Sequence, residues 1–409
     1  MIDGQTPLRR SILVTDGEQR AALATARSLG HAGHIVSVCA SRPGSLTGAS
    51  KYATREFVVP SALDSPDAYA DAVAAAAAEA NADLVLPVSE PSVLALLPVR
   101  DSMRATIPMP SIECFRAICD KSAVLAAAER RGLAVPRQVT LDSAADGAAH
   151  DWSGRFPLVI KPIRSVVQAG GQAADRESGS RSKTSVVYAP NRAALDEQLV
   201  ALDPSAYPVM VQERIAGPGF AISVLIWDGE LKAAFAHSRV REKPPSGGVS
   251  VLRESIPLDS ELLQRSVELL GDFNWQGVAM VEYKLQQSTG VPYVMEINGR
   301  LWGSLQLAID SGVDFPSLLV DCALTKPQTP VLSYSVGTRT WWEWGDVDHL
   351  LARLRKSRNA LSLPPGTPGR LRALMDFLSA FRSGIHSEVM RLDDPLPFVR
   401  ESWDWIRRR

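Results

Sequence analysis

The chain has 409 residues, which is enough for about two or three domains with separate cores. A hydrophobic content of 45%, a charged content of 22% and a net charge of −1 are typical of a soluble globular protein, and this overall charge indicates neither nucleic-acid nor membrane binding. The four cysteines form no CxxC pair, and their number and scatter do not suggest a disulfide framework, so we interpret them as buried thiols in a reduced compartment. No apolar run reaches the ~18–20 residues of a transmembrane helix. The basic N-terminal segment MIDGQTPLRR is not followed by the apolar region of a signal peptide, so we expect a cytoplasmic protein without one.

Strands and helices alternate over about residues 10–115, which predicts a parallel α/β layer. The predicted elements are a strand at 11–15, a helix at 20–29, strands at 34–41 and 56–59, a helix at 67–80 and a strand at 82–88. The first turn, TDGEQR, lacks the GxGxxG pattern, so a dinucleotide site is disfavoured. Asp16, Gly17, Ser89 and Glu90 lie at carboxyl ends of predicted strands, where open α/β sheets bind ligands, although turn chemistry explains them equally well.

The middle of the chain also alternates between helices and strands. We predict a helix at 120–131, a strand ending near Lys161, a strand at 184–189, a helix at 191–201, a strand at 209–215, a hairpin over 220–242 that turns at Asp228-Gly229, and a helix at 259–271. The polar, glycine-bearing stretch 164–183 is either a mobile phosphate-side flap or a disordered insert. Residues 243–248 form a second mobile loop.

The segment GVAMVEYKLQQSTGVPYVMEINGR, residues 277–300, is typical of a hairpin with one carboxylate in each strand. Glu282 and Glu296 lie equally far from Thr289, so a register centred there places them opposite each other. Asn298 then points to the same face, because strand side chains alternate. Two acids and an amide oxygen suit a hard cation such as Mg²⁺. The alternative is a solvated strand face on which Lys284 pairs with either acid.

The order of these features resembles the ATP-grasp superfamily, and in particular its carboxylate–amine ligase branch, which is related to carbamoyl-phosphate synthetase and biotin carboxylase. The resemblance covers about residues 10–325 and is strongest in VEYKL…VMEINGR followed by LWGSLQLAIDSG. It implies a mixed α/β and α+β protein with a parallel α/β layer, the pre-ATP-grasp domain, at 1–115. A two-lobed ATP-grasp domain at 116–325 would follow, with a small lobe at about 120–210 and a large lobe at about 211–325. The resemblance does not cover the helical C-terminal extension, 326–409.

The resemblance also implies a role for individual residues. Lys121 and Lys161 match the two lysines that contact ATP phosphates, and Glu213 and Ile215 match the hinge where adenine lies, with the backbone from Gln212 onward reading its edge. The implied magnesium ligands are Glu282, Glu296 and Asn298, with Mn²⁺ as an alternative ion, and Glu282 and Glu296 thereby also bind the nucleotide. Arg300 matches the arginine that meets the transferred phosphoryl group.

Some residues depart from the family pattern or leave two interpretations open. The stretch after Lys161 lacks a tight run of glycines, and Gly299 replaces a usual proline. Arg239 and Arg241 have period-two spacing, so both could face the phosphate-transfer zone or both could lie on one solvated strand face. His237 is interpreted as a packed histidine, and Ser304 as the N-cap of the helix that follows it.

The C-terminal extension, residues 326–409, differs in composition from the rest of the chain. It holds 14 Lys and Arg against 9 Asp and Glu, a net of +5, and five of the nine tryptophans. We favour an extension that packs its aromatic rings on the main body. Contact with an anionic membrane surface or with a partner protein is the less favoured alternative.

The expected function is an ATP- and Mg²⁺-dependent ligase that joins a small carboxylic acid to an amine through an acyl phosphate. The alternatives are an ATP-dependent carboxylase or carbamoyl-phosphate-type step, a small-molecule kinase, and a non-catalytic ATP-binding regulator. The sequence identifies neither the acid nor the amine, and it leaves the oligomeric state and the role of the extension open.

Overall fold

The computed structural model describes residues 9–168, 181–183, 186–324, 326, 329–363, 366–381 and 384–408, with the backbone alone for residues 167, 168 and 181–183. Most of the loop predicted at 164–183 lies outside the described residues, so its behaviour stays a prediction. Within the described part of the chain, no helix is long and apolar enough to cross a membrane.

Four strands near the N-terminus form a parallel sheet, which confirms the predicted α/β layer. The elements are β1 Ser11–Val14, α1 Arg20–His31, β2 Ile35–Ala40, β3 Ala53–Val58, α2 Pro66–Glu79, β4 Leu84–Leu86, α3 Glu90–Leu96 and α4 Ile112–Cys119. The strand order is β3-β2-β1-β4, and every neighbouring pair is parallel. Leu13 enters one hydrophobic cluster, whereas Ile12 and Val14 enter another, because alternate strand residues face opposite sides of the sheet.

A smaller antiparallel sheet follows, in the order β5-β10-β6-β9. Its region comprises α5 Lys121–Arg130, β5 Gln138–Leu141, α6 Ala144–Ala149, β6 Leu158–Pro162, β7 Val166–Gln168, β8 Arg181–Lys183, β9 Val187–Ala189, α7 Arg192–Ala201 and β10 Val209–Glu213. Leu195 and Leu199 of α7 pack on Ile160 of β6. The strands β7 and β8 pair with each other at the two ends of the predicted loop.

A seven-stranded sheet forms the largest layer, with strand order β15-β14-β11-β12-β13-β16-β17 in the described chain. Its first part comprises β11 Gly219–Trp227, β12 Glu230–Lys243, β13 Val249–Ser255, α8 Ser260–Gly271, β14 Gly277–Leu285, β15 Pro292–Asn298, α9 Leu305–Asp310 and α10 Phe315–Ala323. The β11–β12 hairpin turns at Asp228 and Gly229, as predicted, and both residues have positive φ values of 52° and 76°.

The C-terminal extension contributes the last two strands of this sheet in addition to helices. Its elements are β16 Arg339–Trp341, α11 Glu343–Arg355, α12 Arg370–Leu378, β17 Ile385–Ser387 and α13 Leu396–Arg407. Strand β16 pairs with β13, and β17 pairs with β16 in parallel. The extension is therefore joined to the main body through backbone hydrogen bonds and is more than a helical cap.

Most of the extension's tryptophans pack against other groups, in line with the favoured interpretation. Trp341 makes edge contacts with Phe377 and Phe381, and the rings of Trp344 and Trp405 stack with 4.2 Å between their centroids. Trp403 is the exception among the five, because 52% of its surface is exposed.

A buried ion pair ties the extension to the N-terminal layer. Arg27 of α1 donates from Nε to Asp394 at 2.8 Å, and Asp394 also accepts from Ser50 Oγ at 2.7 Å and from the backbone N–H of Lys51 at 2.9 Å. Asp394 is only 2% exposed. Removal of either partner leaves an uncompensated buried charge, and such a change is strongly destabilising.

We therefore expect Asp394→Ala to lower the free energy of unfolding by about 3 kcal/mol, measured by urea denaturation. The neighbouring Asp393 is the matched control, because half of its side chain is exposed and its contacts with Lys51 and Tyr52 lie at the surface. Asp393→Ala should change stability much less, and equal losses in the two variants would contradict the role of the buried pair.

Candidate active site

The two carboxylates of the 277–300 hairpin lie opposite each other. Strands β14 and β15 are antiparallel, with Glu282 paired to Glu296 and Met280 paired to Asn298. The register shifts beside Glu282, where Met295 is an extra residue in β15 and forms a β-bulge. The predicted register is therefore confirmed at the acidic end of the hairpin, although the turn end is offset by one residue.

Basic and amide side chains surround the acidic pair. Arg239 of β12 places Nη2 2.5 Å from Glu282 Oε2, and Asn298 donates from Nδ2 to Glu282 Oε1 at 3.0 Å. On the other acid, Lys121 Nζ lies 3.7 Å from Glu296 Oε2. Arg300 donates from Nη2 to Asn298 Oδ1 at 3.2 Å. Each predicted metal ligand is thus part of one polar cluster.

The environment acts differently on the two carboxyl groups. Burial raises the pKa of Glu282 above its ordinary value, although the charge of Arg239 opposes this effect. Burial also favours the neutral form of Glu296, but Lys121 and Lys161 outweigh it, so the pKa of Glu296 lies below its ordinary value. Glu296 is therefore the firmly ionised member of the pair.

The donor set fits a hard divalent cation. Two carboxylates and an amide oxygen converge on one strand face, and Mg²⁺ prefers oxygen ligands of this kind. Within the described residues, no group of three or more His, Cys, Asp and Glu side chains could hold a metal, so the third candidate protein ligand at this site is the amide oxygen of Asn298.

A cavity of about 270 Å³ lies on one side of the acidic pair, between the small and large sheets. Lys121, Lys161, Gln212, Glu213 and Ile215 all line it, so the structure brings the predicted nucleotide-binding residues together. Its lining combines the ammonium groups of two lysines with residues at the end of β10. This arrangement suits a ligand with both an anionic part and a flat part.

Lys161 is half-buried in this cavity. Its Nζ donates to Gln212 Oε1 at 2.9 Å, and Gln212 in turn donates from Nε2 to Gln138 Oε1 at 3.1 Å. Burial lowers the pKa of Lys161 to about 8, and the charge of Glu296 limits that decrease. Lys121 Nζ also donates to Ser165 Oγ at 2.7 Å.

The hinge residues at the end of β10 have separate environments. The Glu213 carboxylate accepts 3.0 Å hydrogen bonds from the backbone N–H and from Nε of Arg137, so its side chain fixes the entry to β5. Ile215 is buried against the cavity wall. Glu213 therefore shapes the hinge through its side chain, while its backbone borders the cavity.

A second cavity, of about 630 Å³, lies on the other side of the acidic pair and reaches the N-terminal sheet. Both cavities are lined by Arg239, Gly248, Glu282 and Glu296. Arg300 and Asn298 line the larger one. The acidic pair thus stands at the boundary between two adjoining cavities.

Three of the four polar candidates from the N-terminal layer line this larger cavity, namely Asp16, Ser89 and Glu90. The Asp16 carboxylate accepts hydrogen bonds of 2.7 Å from both Ser89 Oγ and Ser92 Oγ, so it joins the ends of β1 and β4. Gly17 has a packing role, since a Cβ there would meet Ser45 Oγ at 2.5 Å. Turn chemistry thus accounts for Asp16 and packing accounts for Gly17.

The expectation that Arg239 and Arg241 share one face is wrong. A bulge at Val240 breaks the two-residue period, because Arg239 pairs with Arg253 of β13 while Arg241 pairs with Leu252. Arg241 instead donates from Nε and Nη2 to Asp346 of α11, at 2.8 and 2.5 Å. Arg241 therefore holds the extension and does not line either cavity.

Ser304 and His237 form a buried pair. Ser304 occupies the N-cap position of helix α9, as predicted, but its hydroxyl makes no capping bond there and lies 3.1 Å from His237 Nε2. Burial lowers the pKa of His237 to about 3, in line with a packed neutral histidine.

Sequence reasoning missed one charged group beside the larger cavity. Arg253 has no exposed surface and donates from Nη2 to Glu388 of the extension at 2.6 Å. Glu388 also ion-pairs with Arg20 of α1, and both arginines line the cavity. The available signal was an arginine within the apolar strand VSVLRES, although its partner lies 135 residues away.

Solved structures with the same architecture include L-amino acid ligase from Bacillus licheniformis, at 19% identity and a TM-score of 0.59, with 78% of this chain and 75% of that chain covered. Biotin carboxylase from Campylobacter jejuni, in a complex described as β-γ-ATP, gives 17% identity, a TM-score of 0.61 and coverage of 81% and 74%. N5-carboxyaminoimidazole synthetase from Staphylococcus aureus complexed with ADP gives 13% identity and a TM-score of 0.61, with 81% of this chain and 80% of that chain covered. Together with the site geometry, these likenesses define an ATP-grasp fold.

Residues 205–341 match a family model described as "ATP-grasp in the biosynthetic pathway with Ter operon". This range contains Gln212, Arg239, the whole acidic hairpin and Arg300. A search of curated proteins gives no match. The predicted resemblance to ATP-grasp proteins and the predicted fold class are therefore confirmed.

We expect Lys161 to titrate near pH 8, well below the ~10.4 of a lysine in water. Competitive acetylation at a series of pH values, followed by peptide mass spectrometry, measures this pKa. Gln212→Leu should lower it further, because the ammonium loses its acceptor. Gln138→Leu is the matched control, since Gln138 contacts only the amide of Gln212 in this chain of hydrogen bonds. An apparent pKa near 10 for Lys161 would contradict the desolvation of its ammonium group in the cavity.

Proposed function

We propose that this protein is an ATP- and Mg²⁺-dependent ligase that activates a carboxylic acid as an acyl phosphate and joins it to an amine. The observation that supports this proposal best is the position of Glu282 and Glu296 between two cavities. One cavity has the lysines expected for phosphates, and the other extends toward the N-terminal sheet. A reaction that transfers a group from one bound molecule to another needs such a boundary.

Each side chain has a role that follows from its charge and position. Lys121 and Lys161 would bind phosphate oxygens, because ammonium groups act as point charges toward phosphate. The backbone near Gln212 and the wall at Ile215 would hold the base. Glu282, Glu296 and Asn298 would hold Mg²⁺, which, when bound, neutralises charge on the phosphate oxygens. Mn²⁺ is an alternative ion at the same ligands.

The proposed chemistry needs no nucleophile from the protein. A carboxylate oxygen of the acid attacks the γ-phosphorus, the bond from this phosphorus to the bridging oxygen breaks, and ADP leaves with that bonding pair. The amine nitrogen then attacks the acyl carbon, phosphate leaves, and the nitrogen loses a proton to water. Arg300 and Arg239 line the larger cavity, where the carboxylic acid would bind. Their positive charge would stabilise the transferred phosphoryl group there.

ADP release is the direct test of this proposal. The protein would be incubated with ATP and Mg²⁺ and with pooled amino acids and small carboxylates, and the products analysed by mass spectrometry. ADP together with a new condensed mass supports the ligase. A phosphorylated product without an amide would indicate a kinase, and a bicarbonate requirement would indicate a carboxylase. Binding of ATP with no ADP release would indicate a regulatory protein.

We expect Glu296→Gln to lower kcat at least a thousandfold while leaving the melting temperature almost unchanged. The change removes a charge needed for the cation but keeps the size of the side chain. Glu254→Gln is the matched control, because Glu254 lies on the same sheet and pairs with Arg339 near the surface. Normal turnover by Glu296→Gln would rule out the metal assignment.

Arg239 and Arg241 should respond differently to replacement by lysine. We expect Arg239→Lys to lower kcat about a hundredfold, because Arg239 contacts Glu282 and lines both cavities. Arg241→Lys should mainly lower thermal stability, because it breaks the two-bond contact with Asp346. Equal effects on kcat in the two variants would contradict this division of roles.

A cytoplasmic location and small-molecule substrates stay predictions from the sequence, and the oligomeric state stays open. The domain limits at residues 115 and 325 are also predictions. The pairing of β16 with β13 favours an extension that works together with the large lobe.

A further inference from the structure

The larger active-site cavity continues into a third cavity of about 1160 Å³, called here the distal cavity. The two cavities are continuous because they share the lining residues Glu18, Gln19, Arg20, Ser41 and Val249. The opposite wall of the distal cavity comes from helices α11 and α13 of the extension. The extension therefore forms one wall of a space that is continuous with the larger cavity beside the acidic pair.

Three indole rings of the extension line the distal cavity, and their orientations are fixed. Their N–H groups donate within the extension, from Trp342 to Glu401 at 2.8 Å, from Trp344 to Ser402 at 2.9 Å and from Trp405 to Asp348 at 3.0 Å. The guanidinium of Arg20 also lies 3.7 Å from the centroid of the Trp342 ring. A wall held in this way is already organised for a ligand, which lowers the entropic cost of binding.

The acidic side chains of the distal cavity are all engaged by partners. Glu18 accepts from the backbone N–H and the hydroxyl of Ser41, both at 2.7 Å. Asp404 pairs with Arg42 at 2.9 Å, and Asp348 pairs with Lys243. Glu401 is weakly acidic, because burial raises its pKa to about 7. Asp348 and Asp404 are therefore neutralised by cations, whereas Glu18 keeps its negative charge; the lining holds these four acids against five Lys and Arg residues.

Two arginines of the distal cavity have no acidic partner in the part of the chain that the structure describes. Arg355 of α11 and Arg408, just after α13, both line the cavity and are exposed to solvent. Among the described residues, neither forms an ion pair with an acidic side chain. The cavity consequently has an excess of positive charge beside its aromatic wall, and it suits an anionic group.

We infer that the distal cavity binds the remote part of an elongated anionic substrate whose reacting end lies near Arg300. This inference rests on the proposed ligase function and narrows its substrate class to molecules longer than a single amino acid. Binding energy from a remote, non-reacting part can raise the rate of the chemical step as well as affinity. The ion pairs of Glu388 with Arg20 and Arg253 support this role, because they attach the extension to the wall of the larger cavity.

Intrinsic tryptophan emission of the full chain tests this inference without turnover, since three of the nine tryptophans line the distal cavity. The probes are tetraglutamate, free glutamate and tetralysine, titrated at the same ionic strength. Tetraglutamate should change the emission and bind at least tenfold more tightly than either of the other probes. Equal affinities, or no response to tetraglutamate, would overturn the inference.

The charge-reversal variant Arg355→Glu/Arg408→Glu should weaken tetraglutamate binding at least tenfold. The matched control is Arg372→Glu/Arg407→Glu, which reverses two exposed arginines of the same extension that do not line the cavity. Equal weakening in the two variants would show that the effect is only one of overall charge, and would overturn the inference.

The emission test and the ADP-release test can fail independently. Binding of tetraglutamate with no ADP release from any substrate pool would refute the ligase and leave an anion-binding cavity. ADP release with single amino acids, together with no preference for elongated anions, would support the ligase and refute the distal substrate site.

Discussion

The pairing of Glu282 with Glu296 across two adjacent strands is the constraint on which the rest of the site depends. Two partly buried carboxylates at this spacing repel each other, so the fold must supply positive charge around them. It does so from separate elements, with Lys121 on α5, Lys161 on β6, Arg239 on β12 and Arg300 after β15. Both the small and the large sheet therefore contribute positive charge around the acidic pair.

This charge arrangement also explains why the two sides of the site differ chemically. Lys121 and Lys161 lie on the small-sheet side, where an anionic ligand would gain most from them. Arg239 and Arg300 border the cavity that faces the N-terminal layer. A group transferred across the acidic pair would meet positive charge before and after transfer, which lowers the electrostatic cost of its movement.

The C-terminal extension is joined to the site by buried charge as well as by strand pairing. Glu388 contacts Arg253 and Arg20, and Asp394 holds Arg27, so α1, β13 and the extension share one polar network. Each of these contacts is costly to break, because the partner would be left charged in a buried setting. The extension is consequently suited to shape the distal cavity, which a loosely attached tail could not do.

Local patterns predicted much of the fold and the centre of the site. Alternating strands and helices gave the parallel N-terminal layer, and Asp228-Gly229 located a hairpin, because these signals depend on residues close in sequence. The opposition of Glu282 and Glu296 was also predicted, from a register centred on Thr289, although the turn end is offset by one residue and the bulge at Met295 restores the pairing. The two lysines came from a family pattern and lie in the expected cavity.

Other features could not be predicted because they depend on contacts between distant parts of the chain. The bulge at Val240 turns Arg241 toward Asp346, which reversed a prediction based on a two-residue period. Ser304 binds His237 in preference to capping its own helix.

By itself, the sequence determined the strand and helix content, the acidic hairpin and the likeness to ATP-grasp proteins, because each is a matter of local order along the chain. Only the tertiary structure decided which cations surround the acids, and which cavities adjoin them. It also decided that the extension forms a wall of the distal cavity, through the tryptophans of α11 and α13, and contacts Arg253 through Glu388. Those outcomes arise from packing between residues that are distant in the sequence, such as Arg253 and Glu388, which lie 135 positions apart, and no local pattern specifies such contacts.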